Sequence, residues 1–167
     1  LLTSGPRSWT RGCVCEEGTS MEPVGHLLEE VKITKLNDAT AAGTSAINSA
    51  VVDMAGFDGV VFLTSTGTVL ATGTATVKVQ QDTVVGMGSA ADLLGTSQAF
   101  IDTDDNKSVA VDIKRPLERY LRLVISRAVA NSDWGPIWAL QYRTRKLPVT
   151  QGLDKSEMHQ SPIAGTA

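Results

Sequence analysis

Cysteine, histidine and aromatic side chains are scarce in this chain, and each shortage narrows what it can do. Two cysteines, Cys13 and Cys15, and two histidines, His26 and His159, occur in 167 residues. Cysteines one residue apart close a disulfide only with severe strain. The spacing also departs from the two to four residues of zinc knuckles. They read as incidental thiols, which leaves a reducing compartment open. The histidines stand far apart and outside any Ser, Cys or carboxylate motif, so neither a catalytic triad nor a metal site is signalled. Aromatics amount to three Trp, two Tyr and three Phe, a thin supply for stacking on nucleic-acid bases. No apolar run approaches the ~20 residues of a membrane-spanning helix. The formal charge of −3 excludes a generally basic nucleic-acid coat. Leu1 to Ser20 carries Pro6, Arg7, Arg11 and two acidic residues with no apolar stretch of usable length, so no secretion signal is expected there. Met21 reads as a natural start, which makes the first 20 residues an extension or arm.

What the chain does contain points to sheet. Thr, Val and Ile number 18, 17 and 7, whereas Glu appears only 7 times. Branching at Cβ stiffens the side chain and suits a pleated sheet. Fifteen glycines spread along the chain add frequent turns. Val31 and Ile33 alternate with Lys32 and Thr34, and a loop over 39–46 leads into a strand over 47–54. Residues 60–64 are apolar on both faces, which predicts a strand in the middle of a sheet or at an interface. A clean two-residue period follows over 75–80, then a long loop over 81–97 with one helical turn at 90–94. Residues 99–102 form a short strand. Val109, Val111 and Ile113 point inward; so do Leu121, Leu123 and Ile125, with Tyr120, Arg122 and Ser126 opposite. The last strand, 137–144, carries Trp138, Leu140 and Tyr142 on one face, expected inside. About eight strands in ~115 residues predict an all-β fold: an antiparallel β-sandwich, jelly-roll-like or immunoglobulin-like, with polar arms. The expected divisions are an arm over 1–29, the sandwich over 30–146 and an extended tail over 147–167.

Three patterns resemble chemical motifs without meeting their requirements. Gly86-Met87-Gly88-Ser89-Ala90-Ala91 matches a dinucleotide fingerprint, but Gly95 leaves barely one helical turn for the phosphate to sit on. Asp102 to Asn106 opens like a calcium loop, yet Lys107 and Ile113 stand where Gly and an acidic residue belong. Such Asp/Asn clusters commonly tie off a turn instead. Charge is uneven: eight cations against Glu118 and Asp133 between Lys114 and Lys146, and fourteen acidic residues against four lysines over 16–112. That division suits docking of one subunit's acidic surface on a neighbour's basic one. Trp134, in a turn beside Asp133, and Tyr142 are candidate interface anchors. No catalytic residue, metal or cofactor is expected.

Val31-Lys32-Ile33-Thr34-Lys35-Leu36-Asn37-Asp38-Ala39, Asp53-Met54-Ala55-Gly56-Phe57-Asp58-Gly59-Val60, Asp112-Ile113-Lys114-Arg115-Pro116 with Arg119-Tyr120-Leu121-Arg122, and the ending Glu157 to Ala167 together resemble the head decoration, or cement, proteins of tailed bacteriophages. The resemblance runs from Glu30 to Ala167 and lies in overall texture. It implies a non-enzymatic β-sandwich subunit, made in the bacterial cytoplasm, that binds the outside of the virion head as a homo-oligomer (trimer or dimer). It would hold major capsid protein subunits together against the pressure of packaged DNA, with no direct nucleic-acid or membrane partner. Candidate capsid or inter-subunit contacts are Trp134, Tyr142, Arg143, Arg145, Lys146 and Pro148. The alternative reading is a carbohydrate-binding β-sandwich module of a virion or surface protein, marked by exposed aromatics on one face. An enzyme on the same scaffold lacks the His-rich metal pattern it would need.

Overall fold

The structure, a computed structural model, describes residues 25–159. Cys13, Cys15 and most of the N-terminal arm lie outside these residues, as does the end of the tail. One short helix, α1 (Leu27–Glu30), precedes twelve strands: β1 (Lys32–Asn37), β2 (Thr40–Gly43), β3 (Ile47–Asn48), β4 (Val52–Asp53), β5 (Phe57–Val69), β6 (Thr74–Asp82), β7 (Ala91–Asp92), β8 (Gln98–Ile101), β9 (Ser108–Lys114), β10 (Tyr120–Ala128), β11 (Ser132–Trp134) and β12 (Ile137–Thr144).

The strands form two antiparallel sheets that face each other across one apolar core. In the first, β12 and β11 lie end to end along β5, with β1 and β2 outside them and β9 on the other side of β5. In the second, β10 pairs with β6; β3 and β4 flank β10, and β7 and β8 flank β6. Merging the interrupted strands leaves four columns per sheet: β1/β2, β12/β11, β5, β9 and β3/β4, β10, β6, β7/β8. The chain is therefore the all-β antiparallel sandwich that its composition predicts.

Alternation dictates most of the core. Leu121, Leu123 and Ile125 of β10 lie beside Val77 and Val79 of β6 and belong to one core with Val60 and Phe62 of β5 in the other sheet, all at 0 or 1% exposure. Each such side chain, fully buried, contributes roughly 1.5–3 kcal/mol of hydrophobic stabilisation. Val109 and Val111 are buried as expected, and Ile113 packs against the core from its edge.

Several local expectations are corrected. Residues 47–54 make two short pieces, β3 and β4, separated where Ser49 turns its hydroxyl to the Leu123 N–H (2.9 Å). The loop expected over 39–46 holds β2, and the helical turn expected near 90–94 is replaced by β7. β5 is far longer than 60–64 and fills the centre of its sheet. Its Val61 and Leu63 face away from the core and are half-buried.

The last strand is inverted relative to expectation. Ile137, Ala139 and Gln141 are buried, and Trp138, Leu140 and Tyr142 lie half-buried on the outer face. Gln141 is admitted to the interior because its amide donates to the Asp53 carbonyl (2.7 Å), which satisfies the polar group it buries.

Past Pro148 the chain returns to the β1 edge. The Val149 N–H donates to the Glu29 carbonyl (2.9 Å) and the Gly152 N–H to that of Ile33 (3.2 Å). Gln151 inserts between them: its Nε2 donates to the Leu28 and Val31 carbonyls (2.6 and 2.7 Å), and its Oε1 accepts from the Ile33 N–H (2.9 Å). Gly152 lies so close to Thr34 that a Cβ there would collide with its side chain. The start of the expected tail is thus bound to the sandwich.

Candidate functional site

Two surfaces are candidates for function: the outer face of the first sheet and the loop end beneath it. On the outer face, register places Ile33, Leu140 and Val61 in one row across β1, β12 and β5. Trp138, Leu63 and Ala110 follow in the next row across β12, β5 and β9. Directly opposed side chains share a face, so these six form one contiguous apolar block. All described strands belong to the two sheets, so none lies over it. At its border Tyr142 lies across Gly59, where any Cβ would run into the phenol ring. The Tyr142 hydroxyl donates to Asp112 Oδ1 (2.6 Å). Partial burial and the bond to Asp112 together push the phenol up to about 12.

The loop end is built by the turn between β4 and β5, the loop between β9 and β10, and the segment after β12. They enclose an open cleft of about 380 Å³ lined by Met54, Gly56, Phe57, Arg115, Leu117 and Arg145, among others. Two ion pairs brace it. Arg119 holds Asp53 through two parallel hydrogen bonds, Nε to Oδ1 (2.8 Å) and Nη2 to Oδ2 (2.7 Å). The guanidinium bond keeps the Asp53 carboxyl below its ordinary range, and the carboxylate raises that of Arg119. Arg119 also sits 5.1 Å from the Tyr120 ring centre. Arg145 reaches Asp58 at 3.4 Å, and its backbone N–H donates to the Gly56 carbonyl (2.9 Å). Exposed pairs of this kind are screened by water and salt, so they orient the cleft more than they stabilise the fold.

The six candidate contact residues separate. Arg143, Arg145, Lys146 and Pro148 are exposed at this end, with Pro148 following a cis peptide bond. Arg143 and Lys146 have no carboxylate within ion-pair distance among the described residues. Tyr142 joins the loop end to the apolar face. Trp134 is the correction: at 2% exposure it belongs to the core, edge-to-face with Phe100 (centres 5.5 Å apart, 88°). Its Nε1 donates to the Ser132 hydroxyl (3.2 Å). A turn residue was expected, but β11 turns the indole inward, leaving it nothing to offer a partner. Trp138, expected in the core, takes the surface place instead.

Sequence reading missed Arg115, Arg119 and the apolar block as site residues. Arg115 and Arg119 come from a loop whose neighbours lie ~60 residues away in sequence; the apolar block needs the β5–β12 register, which no local pattern encodes.

The motif-like segments are accounted for by turns. Asp82 accepts the Val84 and Ser89 N–H groups (3.1 and 2.9 Å), which ties down 83–89 and keeps its carboxyl low. Asp104 and Asp105 accept the Ile101 and Val69 N–H groups (2.9 and 2.7 Å). No group of three or more His, Cys, Asp or Glu poised to hold a metal occurs among the described residues. Compared with protein-family models and with curated proteins, the chain finds no match in either.

Proposed function

We propose that this chain is a structural subunit of a tailed-bacteriophage head, a decoration or cement protein that binds the outer surface of the shell and stabilises it against internal DNA pressure. The observation that carries this reading is the apolar block of Ile33, Val61, Leu63, Trp138 and Leu140 on the outer face of the first sheet. An antiparallel sheet that meets water on one side ordinarily shows polar residues there, and a contiguous, half-buried apolar patch bounded by Lys35 and Asp112 suits a protein contact. The proposed occupant is the major capsid protein. The polar, arginine-rich loop end is suited to contacts along the rim of the same interface.

The jelly-roll form of the sandwich is part of the proposal. Numbering the eight columns in chain order, the sheets run 1-8-3-6 and 2-7-4-5. Each successive connection from 1 to 2, 2 to 3, 3 to 4 and so on crosses between sheets except 4 to 5. That nested order supports a jelly roll, an architecture common in viral capsid and lectin domains. The carbohydrate-binding alternative draws less support. Its mark is aromatic rings exposed on one face, and the two on the outer face, Trp138 and Tyr142, are half-buried, with the Tyr142 hydroxyl engaged by Asp112.

Quantitative mass spectrometry of purified virions tests the reading. The chain is expected at a copy number of the same order as the major capsid protein. A Leu63→Lys/Leu140→Lys variant, folded by circular dichroism, is expected to lose shell attachment at least tenfold. A handful of copies would assign the chain to the neck or tail, and absence from virions would end the proposal.

A further inference from the structure

Each sheet of the sandwich has two edges, and a strand at an edge offers unpaired N–H and C=O groups to any chain that can add to it. Three of the four edges are blunted. The return segment covers β1, with the Gly152 N–H on the Ile33 carbonyl and the Gln151 side chain on the Ile33 N–H; β2, which continues that edge, has four residues. In the second sheet one edge is broken into β3 and β4, of two residues each, and the other into β7 and β8, of two and four. The fourth edge is β9, seven residues without a break in register, and no described strand lies on its far side.

Which groups β9 turns outward follows from its bonds to β5. The Thr66 N–H donates to the Lys107 carbonyl (2.8 Å) and the Arg115 N–H to that of Asp58 (2.7 Å), so the pairs flanking the ladder at both ends are hydrogen-bonded ones. Such pairs alternate with non-hydrogen-bonded pairs along an antiparallel ladder. Val109, Val111 and Ile113 therefore bond β5, whereas Ser108, Ala110, Asp112 and Lys114 direct their N–H and C=O groups to the open side. Among the described residues these groups meet one partner there, Gln98, whose Nε2 reaches the Ala110 carbonyl at 3.3 Å.

The side chains suit a second β9. An antiparallel ladder centred on Val111 uses the whole strand and sets Ser108 opposite Lys114 of the second copy and Ala110 opposite its Asp112. No like charges are then directly opposed, whereas a ladder centred on Asp112 would set two carboxylates face to face. The Tyr142 hydroxyl, reaching over Gly59, also holds the Asp112 carboxylate back towards β5. On the inner side Val111 meets its own copy, and the half-buried Ile113 meets Val109 of the second copy, pairs of β-branched side chains that favour a sheet. On the outer side the row Trp138, Leu63, Ala110 continues into Asp112, Val61 and Leu140 of the second copy, so the two apolar blocks become one face.

We propose that two copies of this chain associate by antiparallel β9–β9 pairing about a two-fold axis at Val111, which joins their first sheets into one. The contact is isologous, the same strand serving both subunits, so it closes at two copies and leaves no edge to propagate. Main-chain bonds supply the attachment and the alternate side chains fix the register. The inference does not rest on shell attachment: association of the free chain tests it, and virion content tests the other.

Sedimentation velocity of the full chain over about 1–100 μM reads the contact as a monomer–dimer equilibrium. Ala110→Pro removes an N–H that β5 does not use, so the subunit should keep its circular dichroism while dimerisation weakens at least about tenfold. Ser108→Lys meets Lys114 of the second copy twice by symmetry and is expected to weaken the dimer several-fold, and Ser108→Asp to tighten it. A chain that stays monomeric throughout overturns the proposal. So does a dimer indifferent to Ala110→Pro, or one that the two Ser108 variants shift in the same direction. A monomeric chain whose folded Ala110→Pro variant loses virion attachment would assign the edge to a strand of the capsid protein instead, which also overturns it. If Ala110→Pro fails to fold, the opposite effects of the two substitutions at the exposed Ser108 decide.

Discussion

Trp134 and Trp138 are four residues apart, and which one faces the interior depends on a single break at Gly135-Pro136. Trp134 fills the space beside Phe100 and satisfies its indole N–H on Ser132. Trp138 packs on Leu63 across the outer face. Truncation should therefore separate them. Trp134→Ala is expected to cost about 3–5 kcal/mol, the range for a large aromatic removed from a closed core. Trp138→Ala is expected to cost about 1 kcal/mol, because much of the ring's area remains in contact with water when folded. Urea unfolding of the two variants checks the order, and equal or reversed costs would refute the assignment of faces. The sequence favours the wrong assignment for a physical reason: ring size and hydrophobicity point Trp138, Leu140 and Tyr142 inward, whereas the actual interior row is a small Ala139 and a polar Gln141. Nothing local signals that Gln141 finds the Asp53 carbonyl, 88 residues away.

Among the elements, those with clean alternation and one wet face were readable from the residues alone. β9 and most of β6 keep a two-residue period, and β10 departs from it only at the buried Val124, so one shift of register would put most of their apolar residues in water. β5 announced its central place by being apolar on both faces, though its second apolar face is covered by no described strand. Short pieces such as β2 and β7 carry too few residues to show a period and exist because longer neighbours offer free edges. The return segment is another such case. Gln151 looks like any polar tail residue, yet it closes three backbone groups, in α1, at Val31 and in β1. Removing it leaves those groups short of partners at a cost of about 1–3 kcal/mol. Gln151→Ala is accordingly expected to lower stability by that amount and to speed hydrogen exchange at the Ile33 amide. An unchanged exchange rate at that amide would show that the clip does not hold the edge. The same limits explain the site: Arg143, Arg145 and Lys146 were visible as a basic run, but the loops they meet come from residues 53–58 and 115–119.

For the molecule as a whole, the order of columns governs how the fold is reached. Lys32 pairs with Gln141 in the first sheet and Tyr120 with Asp53 in the second, so neither sheet can close until most of the described chain is available. Domains dominated by such distant pairings fold in milliseconds to seconds. Stopped-flow refolding of this chain should fall in that range, and a microsecond phase accounting for the full amplitude would contradict the topology. The hydrogen bond from Val149 to Glu29 has a further consequence. It brings the entry and exit strands of the sandwich to one edge, so peptides grafted at both places would project side by side from the same flank of the subunit. That edge is the natural place to attach a pair of peptides, and a short bridge across it would let new ends be opened in the loop that Asp82 holds.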